Sequence, residues 1–179
     1  MRDDINEILV SEEQIKEAVV RIGKQISTDF AGEELIVIGI LKGAVAFMAD
    51  LIQKIEIPIE IDFMAVSSYG MGTTSTGEVR ILKDLDISVE NRNVLIVEDI
   101  IDTGITLSYL TKVMESRGAK TVSIATLLTK PERRERHVPI DYYGYEVEDK
   151  FVVGYGIDYA EKYRNLPFVG VLKPEVYEK

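Results

Sequence analysis

VLIVEDIIDTGIT, residues 94–106, leads from a buried strand into the first turn of a helix. Residues 94–97 are aliphatic on both faces of the strand, which is typical of a central strand in a parallel sheet. Two adjacent carboxylates and a short loop to Gly104 follow, and residues 105–117 carry apolar side chains at helical spacing. A buried strand that passes through a loop into a helix indicates an α/β fold.

The same alternation of strand and helix extends outward from this segment. The spacing of Ser11 and Gln14 predicts a capping box at the start of a long helix that ends at residues 31–32. The other predicted elements are a helix at 44–55 and strands at 35–41, 59–64, 78–82, 121–129, 142–147, 151–155 and 168–172. Because strands and helices alternate through the middle of the chain, we expect a central, mostly parallel sheet flanked by helices on both faces.

The two ends of the chain do not follow this alternation. We expect one domain over residues 1–179, with a core at about residues 30–150. The N-terminal segment and residues from about 151 to 179 are expected to form a small hood lobe above the sheet. The sequence has no internal repeat and no linker that would mark a second domain.

The composition excludes several kinds of site. The chain has no cysteine, so a disulfide, a thiolate zinc site and a cysteine nucleophile are impossible. Its single histidine, His137, lies in a strongly charged stretch, and we expect it to be an ordinary exposed side chain. Lysine and arginine number 21, and aspartate and glutamate number 31, so the net charge is 21 − 31 = −10. Such a charge disfavours nucleic acid and anionic membranes as partners.

The hydropathy pattern predicts a cytoplasmic location. The first residues lack the apolar run of a signal peptide. The longest apolar runs, such as residues 35–41, are seven residues long. That length is far below the roughly 18 residues needed to span a bilayer. The absence of cysteine is consistent with a reducing compartment.

The turn at residues 102–106 has the residue types of a phosphate site. In open α/β sheets, ligands bind outside the carboxyl ends of the strands, and this turn follows such an end. Thr103, Gly104 and Thr106 lie where free N–H groups and the helix dipole favour an anion. Three neighbouring carboxylates would repel a phosphate unless ribose hydroxyls or Mg²⁺ lay between them. The pattern therefore favours a ribose phosphate, and the alternative is a strand end with ordinary helix-capping residues.

Other phosphate-binding motifs are incomplete. Residues 72–77 have the glycine spacing of a P-loop, but Glu78 follows where the motif requires a lysine. The Gly-x-Gly pairs at 70–72 and 154–156 both lack the third glycine of a dinucleotide-binding turn. A P-loop NTPase and a nicotinamide-dependent dehydrogenase are therefore disfavoured.

Residues 97–104 resemble the phosphoribosyl pyrophosphate (PRPP) motif of the type I phosphoribosyltransferases. The resemblance extends over most of the chain and includes the stretches 41–43, 67–70, 127–130 and 151–159, with Arg164 beyond them. Within that family, Lys130 and residues 151–158 are most similar to the bacterial branch that acts on 6-oxopurines. The resemblance implies the type I phosphoribosyltransferase fold. It also implies transfer of the phosphoribosyl group of PRPP to N9 of hypoxanthine or guanine, giving IMP or GMP and pyrophosphate.

The resemblance assigns the acidic strand end and the following turn to the ribose phosphate. Glu98 and Asp99 would face the ribose hydroxyls and a magnesium ion, and Asp158 would be the second magnesium ligand, beside the purine. Asp102 would lie by N7 of the base as the general acid/base. The 5-phosphate would be wrapped by the turn that comprises Asp102, Thr103, Gly104, Ile105 and Thr106.

The resemblance assigns a second group of residues to the pyrophosphate. Lys42 and Gly43 resemble the family's pyrophosphate loop, in which an unusual cis peptide bond turns an N–H toward the leaving group. Arg164 would meet pyrophosphate through its guanidinium fork. Ser68 and Tyr69 belong to residues 67–77, which resemble a mobile loop that closes over the site and excludes water. The alternative for Lys42 is an exposed lysine at a strand end. The alternative for residues 67–77 is a plain hairpin tip.

A third group is assigned to the base. Lys130, at the carboxyl end of a strand, would donate to O6 of hypoxanthine or guanine and disfavour adenine. Phe151 would stack on the purine, and Val152 would offer backbone contacts to its edge. From the residues alone, Lys130 could instead be a surface lysine before a proline. Phe151 and Val152 could instead be core side chains.

Three rival functions remain open from the sequence. One is a sister enzyme that prefers xanthine, since Lys130 says nothing about the 2-position of the base. Another is an RNA-binding attenuation regulator of the same fold, for which Arg133, Arg134 and Arg136 form the only local basic patch. The third is a nucleotide-binding module without catalysis. The expected partners are PRPP and the purine base, without nucleic acid or membrane, and the family suggests a homodimer or homotetramer.

Overall fold

The computed structural model of the protein describes residues 1–68 and 79–178. Its helices are α1 (Glu12–Asp29), α2 (Val45–Ile52), α3 (Ile105–Ser116) and α4 (Pro174–Tyr177). Its strands are β1 (Ile5–Val10), β2 (Leu35–Leu41), β3 (Ile59–Ser68), β4 (Val79–Lys83), β5 (Asn93–Ile101), β6 (Thr121–Thr129), β7 (Tyr142–Glu146), β8 (Val152–Val153) and β9 (Val169–Leu172).

Six strands form the main sheet in the order β4-β3-β2-β5-β6-β7. All neighbouring pairs from β3 to β7 are parallel, and β4 is added to β3 as an antiparallel edge strand. The predicted parallel sheet is therefore confirmed. The central strands β2 and β5 are paired on both sides, which explains their continuous aliphatic sequence.

Helices cover both faces of this sheet, as the sequence predicts. On one face, Ile22 and Ile26 of α1 and Phe47 of α2 belong to a core that also holds Val37 and Leu95. On the other face, α3 contributes a separate core; its members are Ile36, Ile38, Ile96, Leu107, Leu110 and Met114. The capping box that begins α1 is also confirmed, because the Ser11 hydroxyl accepts from the Gln14 N–H at 3.1 Å.

The ends of the chain meet in a second, three-stranded sheet of order β1-β9-β8. All its pairs are antiparallel, and Ile5 of β1 lies opposite Leu172 of β9. A small core of its own includes Val153, Tyr163 and Phe168. We call this sheet and the loop at residues 154–168 the hood. The sequence pattern does not predict β1, because its apolar residues are interrupted by polar ones and its register contains two irregularities.

The structure changes the length of several predicted elements. Strand β5 continues to Ile101, four residues beyond the predicted end at residue 97. Its pairing with β2 ends at Gly39 and Val97, whereas its pairing with β6 continues to Ile101 and Thr129. The predicted helix at 44–55 is shorter, at Val45–Ile52, and the predicted strand at 151–155 is reduced to Val152–Val153. Among the residues that the structure describes, no helix is both long and apolar enough to cross a membrane.

Candidate active site

The two adjacent carboxylates lie within β5, where the strand has lost its β2 neighbour. Both side chains are partly accessible from the cleft that opens there. Glu98 Oε1 accepts from the Asp99 N–H at 3.1 Å, and Asp99 Oδ1 accepts from the Ile100 N–H at 2.7 Å. The β2 pairing thus ends just before the two acids, which leaves both of them without a β2 neighbour.

Burial is the main electrostatic influence on this pair. It raises the pKa of Glu98 well above the usual range, and the neighbouring Asp99 charge raises it further. Burial also raises the pKa of Asp99, although hydrogen bonds to that carboxylate and the charge of Arg164 oppose the effect. Two carboxylates that are costly to ionise together gain from any ligand that donates hydrogen bonds or brings positive charge.

The turn after β5 forms a pocket that fits a phosphate. Its volume is about 140 Å³, and Asp102, Thr103, Gly104 and Thr106 line it together with Glu98. Helix α3 begins directly after Gly104. The N–H groups in its first turn have no carbonyl partners within the helix, so they are available to an anion.

The segment that follows β6 holds this turn in place. The N–H groups of Glu135 and Arg136 both donate to the Thr103 carbonyl, at 2.9 and 3.0 Å. Arg134 Nε donates to the Asp102 carbonyl at 3.0 Å, and its Nη2 donates to the Thr129 hydroxyl at 2.7 Å. The sequence pattern indicates only that Arg134 belongs to a basic patch. Its positioning role depends on a long-range contact, and no sequence motif indicates it.

The loop after β2 contacts the acid pair. The peptide bond between Leu41 and Lys42 is cis, as the family resemblance predicts. A Cβ atom on Gly43 would overlap the Asp99 carboxylate, so only glycine allows the loop to approach so closely. On its other side, the carbonyl of Gly43 lies against Gly156 of the hood. The predicted pyrophosphate loop is therefore held between β5 and the hood.

The hood supplies a second charged group to the cleft. Arg164 pairs with Asp158 at 3.0 Å, and its Nη1 donates to the Gly156 carbonyl at 2.7 Å. Lys42 and Arg164 both contact the carboxylate of Glu161, at 2.9 and 3.4 Å. Lys42 and Arg164, which the resemblance places in the pyrophosphate site, therefore share one acidic neighbour.

Lys130 and Asp102 meet on the side of the cleft nearest to β6. Lys130 is buried, with only 5% of its surface exposed, so the alternative of a surface lysine is wrong. Its Nζ donates to the Lys150 carbonyl at 2.7 Å and lies 3.9 Å from Asp102 Oδ1 and 3.5 Å from Asp149. Asp102 Oδ1 is itself buried and has no hydrogen-bond partner among the described residues. A free buried carboxylate oxygen beside a cation is suited to receive a proton from a bound ligand.

Phe151 and Val152 differ in their surroundings. The Phe151 ring is 39% exposed, so the core alternative is wrong for it. It stacks on Tyr177 with ring centroids 4.6 Å apart, and the edge of Tyr159 lies 5.5 Å away. Val152 is buried and paired with Val171 in the hood sheet. The stacking partner Tyr177 is a residue that the sequence interpretation missed.

Two residues of the predicted mobile loop lie at the border of the described residues. Ser68 ends β3, but its side chain lies outside the described residues, as does all of Tyr69. The same holds for the remainder of the predicted mobile loop after Ser68. In residues 1–68 and 79–178, no group of three or more His, Cys, Asp or Glu side chains could enclose a metal ion.

Comparison with known proteins identifies relatives over the full chain. A family model described as a phosphoribosyl transferase domain matches residues 6–160. The chain is 54% identical over 178 residues to the hypoxanthine-guanine phosphoribosyltransferase of Bacillus subtilis (strain 168), covering 99% of each chain. It is 51% identical over 177 residues to that of Staphylococcus aureus (strain N315), again covering 99% of each. A crystal structure of a hypoxanthine phosphoribosyltransferase from Staphylococcus aureus matches with a TM-score of 0.97 at 50% identity, covering 100% of this chain and 97% of the other.

Glu98→Gln is expected to raise thermal stability at neutral pH. Because the folded-state pKa of Glu98 is raised, the folded protein binds more protons than the unfolded chain between the two pKa values. Wild type therefore loses the stability contributed by protonated Glu98 as the pH rises through that window. Glutamine does not ionise, so the variant keeps its stability there. Thermal melts from about pH 5 to about pH 8 should show a Tm gain over wild type that grows with pH. The exposed Glu175→Gln is the control for net charge, and a gain independent of pH would contradict the assignment.

Arg134→Gln is expected to loosen the phosphate turn. The variant leaves the carbonyl of Asp102 and the hydroxyl of Thr129 without their charged donor, at a cost of about 1–3 kcal/mol in the free energy of unfolding. Amide hydrogen exchange at residues 102–106 should become faster than in wild type. Arg136→Gln, which alters an exposed side chain two residues away, serves as the control. Equal exchange rates in Arg134→Gln and wild type would show that Arg134 does not position the turn.

Proposed function

The chain belongs to the phosphoribosyl transferase family, and from this we propose that it is a purine salvage enzyme. It transfers the 5-phosphoribosyl group of PRPP to N9 of hypoxanthine and guanine, and it releases IMP or GMP and pyrophosphate. The single observation that supports this most strongly is the buried Asp102 oxygen, which has no hydrogen-bond partner in residues 1–68 and 79–178 and lies 3.9 Å from the Lys130 ammonium, beside the phosphate pocket. A proton acceptor, a donor for a 6-oxo group and an anion site thus lie in one cleft.

The ribose phosphate binds at the end of β5. The 5-phosphate accepts hydrogen bonds from the N–H groups and hydroxyls of the turn formed by Asp102, Thr103, Gly104, Ile105 and Thr106. The ribose hydroxyls donate to Glu98, which lines the pocket, and to Asp99, the next residue of β5. Such donation relieves the cost of the buried acid pair, so the sugar is held where the carboxylates need a partner.

The base binds between Lys130 and the hood. The Lys130 ammonium donates to O6 of the purine, and it would leave the amino group of adenine without an acceptor. The exposed surface of the Phe151 ring stacks on the purine. Tyr177 stacks on the Phe151 ring and supports it. The Val152 backbone contacts the purine edge.

Asp102 moves the proton in the reaction. As N9 of the base bonds to the anomeric carbon and the bond to pyrophosphate breaks, the imidazole portion of the purine becomes positively charged. Asp102 Oδ1 takes the proton from N7, which leaves the purine ring of the nucleotide neutral. Proton transfer of this kind contributes about 10²- to 10⁴-fold in rate.

Pyrophosphate leaves across the Lys42–Gly43 loop toward Arg164. The N–H of the cis peptide and the guanidinium fork both favour oxyanions. Magnesium fits the donor set, because Glu98, Asp99 and Asp158 offer only oxygen atoms. When bound, the ion neutralises charge on the pyrophosphate.

Further assignments rest on the family and on the fold together. We place the hood over the cleft as the lobe of a single domain, and we assign Ser68 and Tyr69 to a loop that closes on pyrophosphate. The protein is assigned to the cytoplasm and to a homodimer or homotetramer. The RNA-binding alternative has less support, because Arg134 of its basic patch donates to the Asp102 carbonyl and Arg133 lies 3.8 and 3.6 Å from Asp102 and Asp149.

Asp102→Asn is expected to abolish most turnover without unfolding the protein. Asparagine cannot accept the N7 proton, so kcat with hypoxanthine should fall by about 10²- to 10⁴-fold. Steady-state rates with PRPP, Mg²⁺ and each of hypoxanthine, guanine, xanthine and adenine give the measurement and also rank the xanthine alternative. Asp86→Asn, an exposed aspartate remote from the cleft, is the control. Wild-type rates in Asp102→Asn, or no turnover of any base by the wild-type protein, would contradict the proposed function.

Lys130→Met is expected to remove the preference for a 6-oxo group. Loss of a charged donor to O6 should lower kcat/KM for hypoxanthine by about 10- to 100-fold while changing the rate with adenine much less. The measured quantity is the ratio of kcat/KM values for the two bases. Lys150→Met is the control, because it removes a nearby cation that pairs with Glu7. An unchanged ratio in Lys130→Met would refute the role of Lys130 in base selection.

A further inference from the structure

Glu161 places a carboxylate between the side chains of Lys42 and Arg164, which belong to the two segments that the proposed function gives to pyrophosphate. Its Oε2 lies 2.9 Å from Lys42 Nζ, and its Oε1 lies 3.4 Å from the Arg164 guanidinium. Lys42 belongs to the loop after β2, whereas Arg164 belongs to the hood. The Glu161 carboxylate therefore bridges the two halves of the subsite, with one oxygen facing Lys42 and the other facing Arg164.

The backbone fixes the position of this carboxylate. Glu161 and Ala160 have φ angles of 62° and 51°, in the left-handed region that non-glycine residues rarely adopt. The Glu161 N–H donates to Asp158 Oδ2 at 2.8 Å, and Tyr159 and Lys162 exchange two backbone hydrogen bonds across the turn. A turn that is held in an unfavourable conformation by several hydrogen bonds delivers Glu161 to one place.

We propose that Glu161 is a built-in counter-anion that competes with pyrophosphate for Lys42 and Arg164. Pyrophosphate must displace the carboxylate when it binds, and the carboxylate returns when pyrophosphate leaves. Glu161 thereby weakens the binding of pyrophosphate and of PRPP and favours release of the product. The inference rests on the proposed function, because it takes the cation pair to be the pyrophosphate subsite.

The strength of the contact is suited to this exchange. The Lys42 and Glu161 side chains are both about two-thirds exposed, at 67% and 65%, so the pair is solvent-screened and can open. The Lys42 ammonium lowers the pKa of Glu161, which keeps the carboxylate charged at neutral pH. A ligand with several negative charges can displace one weakly held carboxylate, but the displaced charge remains nearby and opposes it.

The test compares pyrophosphate binding by three proteins with calorimetry at a fixed MgCl₂ concentration. Glu161→Gln should bind pyrophosphate about two- to tenfold more tightly than wild type, and the difference should shrink as salt is added. The inhibition constant of pyrophosphate against PRPP should fall by the same factor. Glu12→Gln removes an equally charged side chain from an exposed ion pair on α1 and should match wild type. Local damage would not produce a gain in affinity, so a tighter Kd separates competition from a structural role.

Equal or weaker pyrophosphate binding by Glu161→Gln would overturn the inference while leaving the proposed function intact. Glu161→Asp, which keeps the charge on a shorter side chain, gives a second measurement. Its affinity should lie between those of wild type and Glu161→Gln, and an affinity below wild type would also count against competition. Failure of pyrophosphate to bind any of the proteins would instead overturn the pyrophosphate subsite, and the inference with it.

Discussion

The structure depends on the unequal pairing of β5 with its two neighbours. On one side, the parallel ladder with β2 ends at Val97, while on the other side the ladder with β6 continues to Ile101. The extra strand residues keep Glu98 and Asp99 rigid although one of their flanks is open. The β2 chain turns away there at Lys42, and the space it leaves becomes the cleft. The phosphate turn continues directly from this strand, the pyrophosphate loop contacts Asp99, and the hood contacts that loop through Gly156.

The arrangement places charges where they are costly in the absence of substrate. Burial raises the pKa of Glu98 and Asp99, and Lys130 is almost completely buried. Asp102 has an oxygen without a hydrogen-bond partner in the described part of the chain. Each of these groups would be better solvated on the surface. Under the proposed function, each of them gains a ligand contact when a ribose phosphate and a 6-oxopurine bind. Stability is therefore reduced at the positions that carry the function, which is a common property of enzyme active sites. The cores on both faces of the sheet supply the stability that makes this possible.

Local sequence patterns predict most of the main sheet and the central motif. Continuous aliphatic strands, the Ser11 capping box and the Asp-Thr-Gly turn are short-range signals, and the structure confirms the elements they predict. Features that depend on long-range contacts were not predictable in the same way. Strand β1 exists because β9 pairs with it, and the positions of Arg134, Glu161 and Tyr177 follow from loops that fold back on distant segments. The cis bond before Lys42 was expected only through the family resemblance.

A crystal structure with bound IMP tests the central claim most directly. The account predicts that the 5-phosphate accepts hydrogen bonds from the backbone N–H groups of residues 102–106. It also predicts that the ribose hydroxyls face Glu98 and Asp99 and that O6 of the base lies next to Lys130. A nucleotide found in another part of the molecule, with the turn after β5 empty, would contradict it.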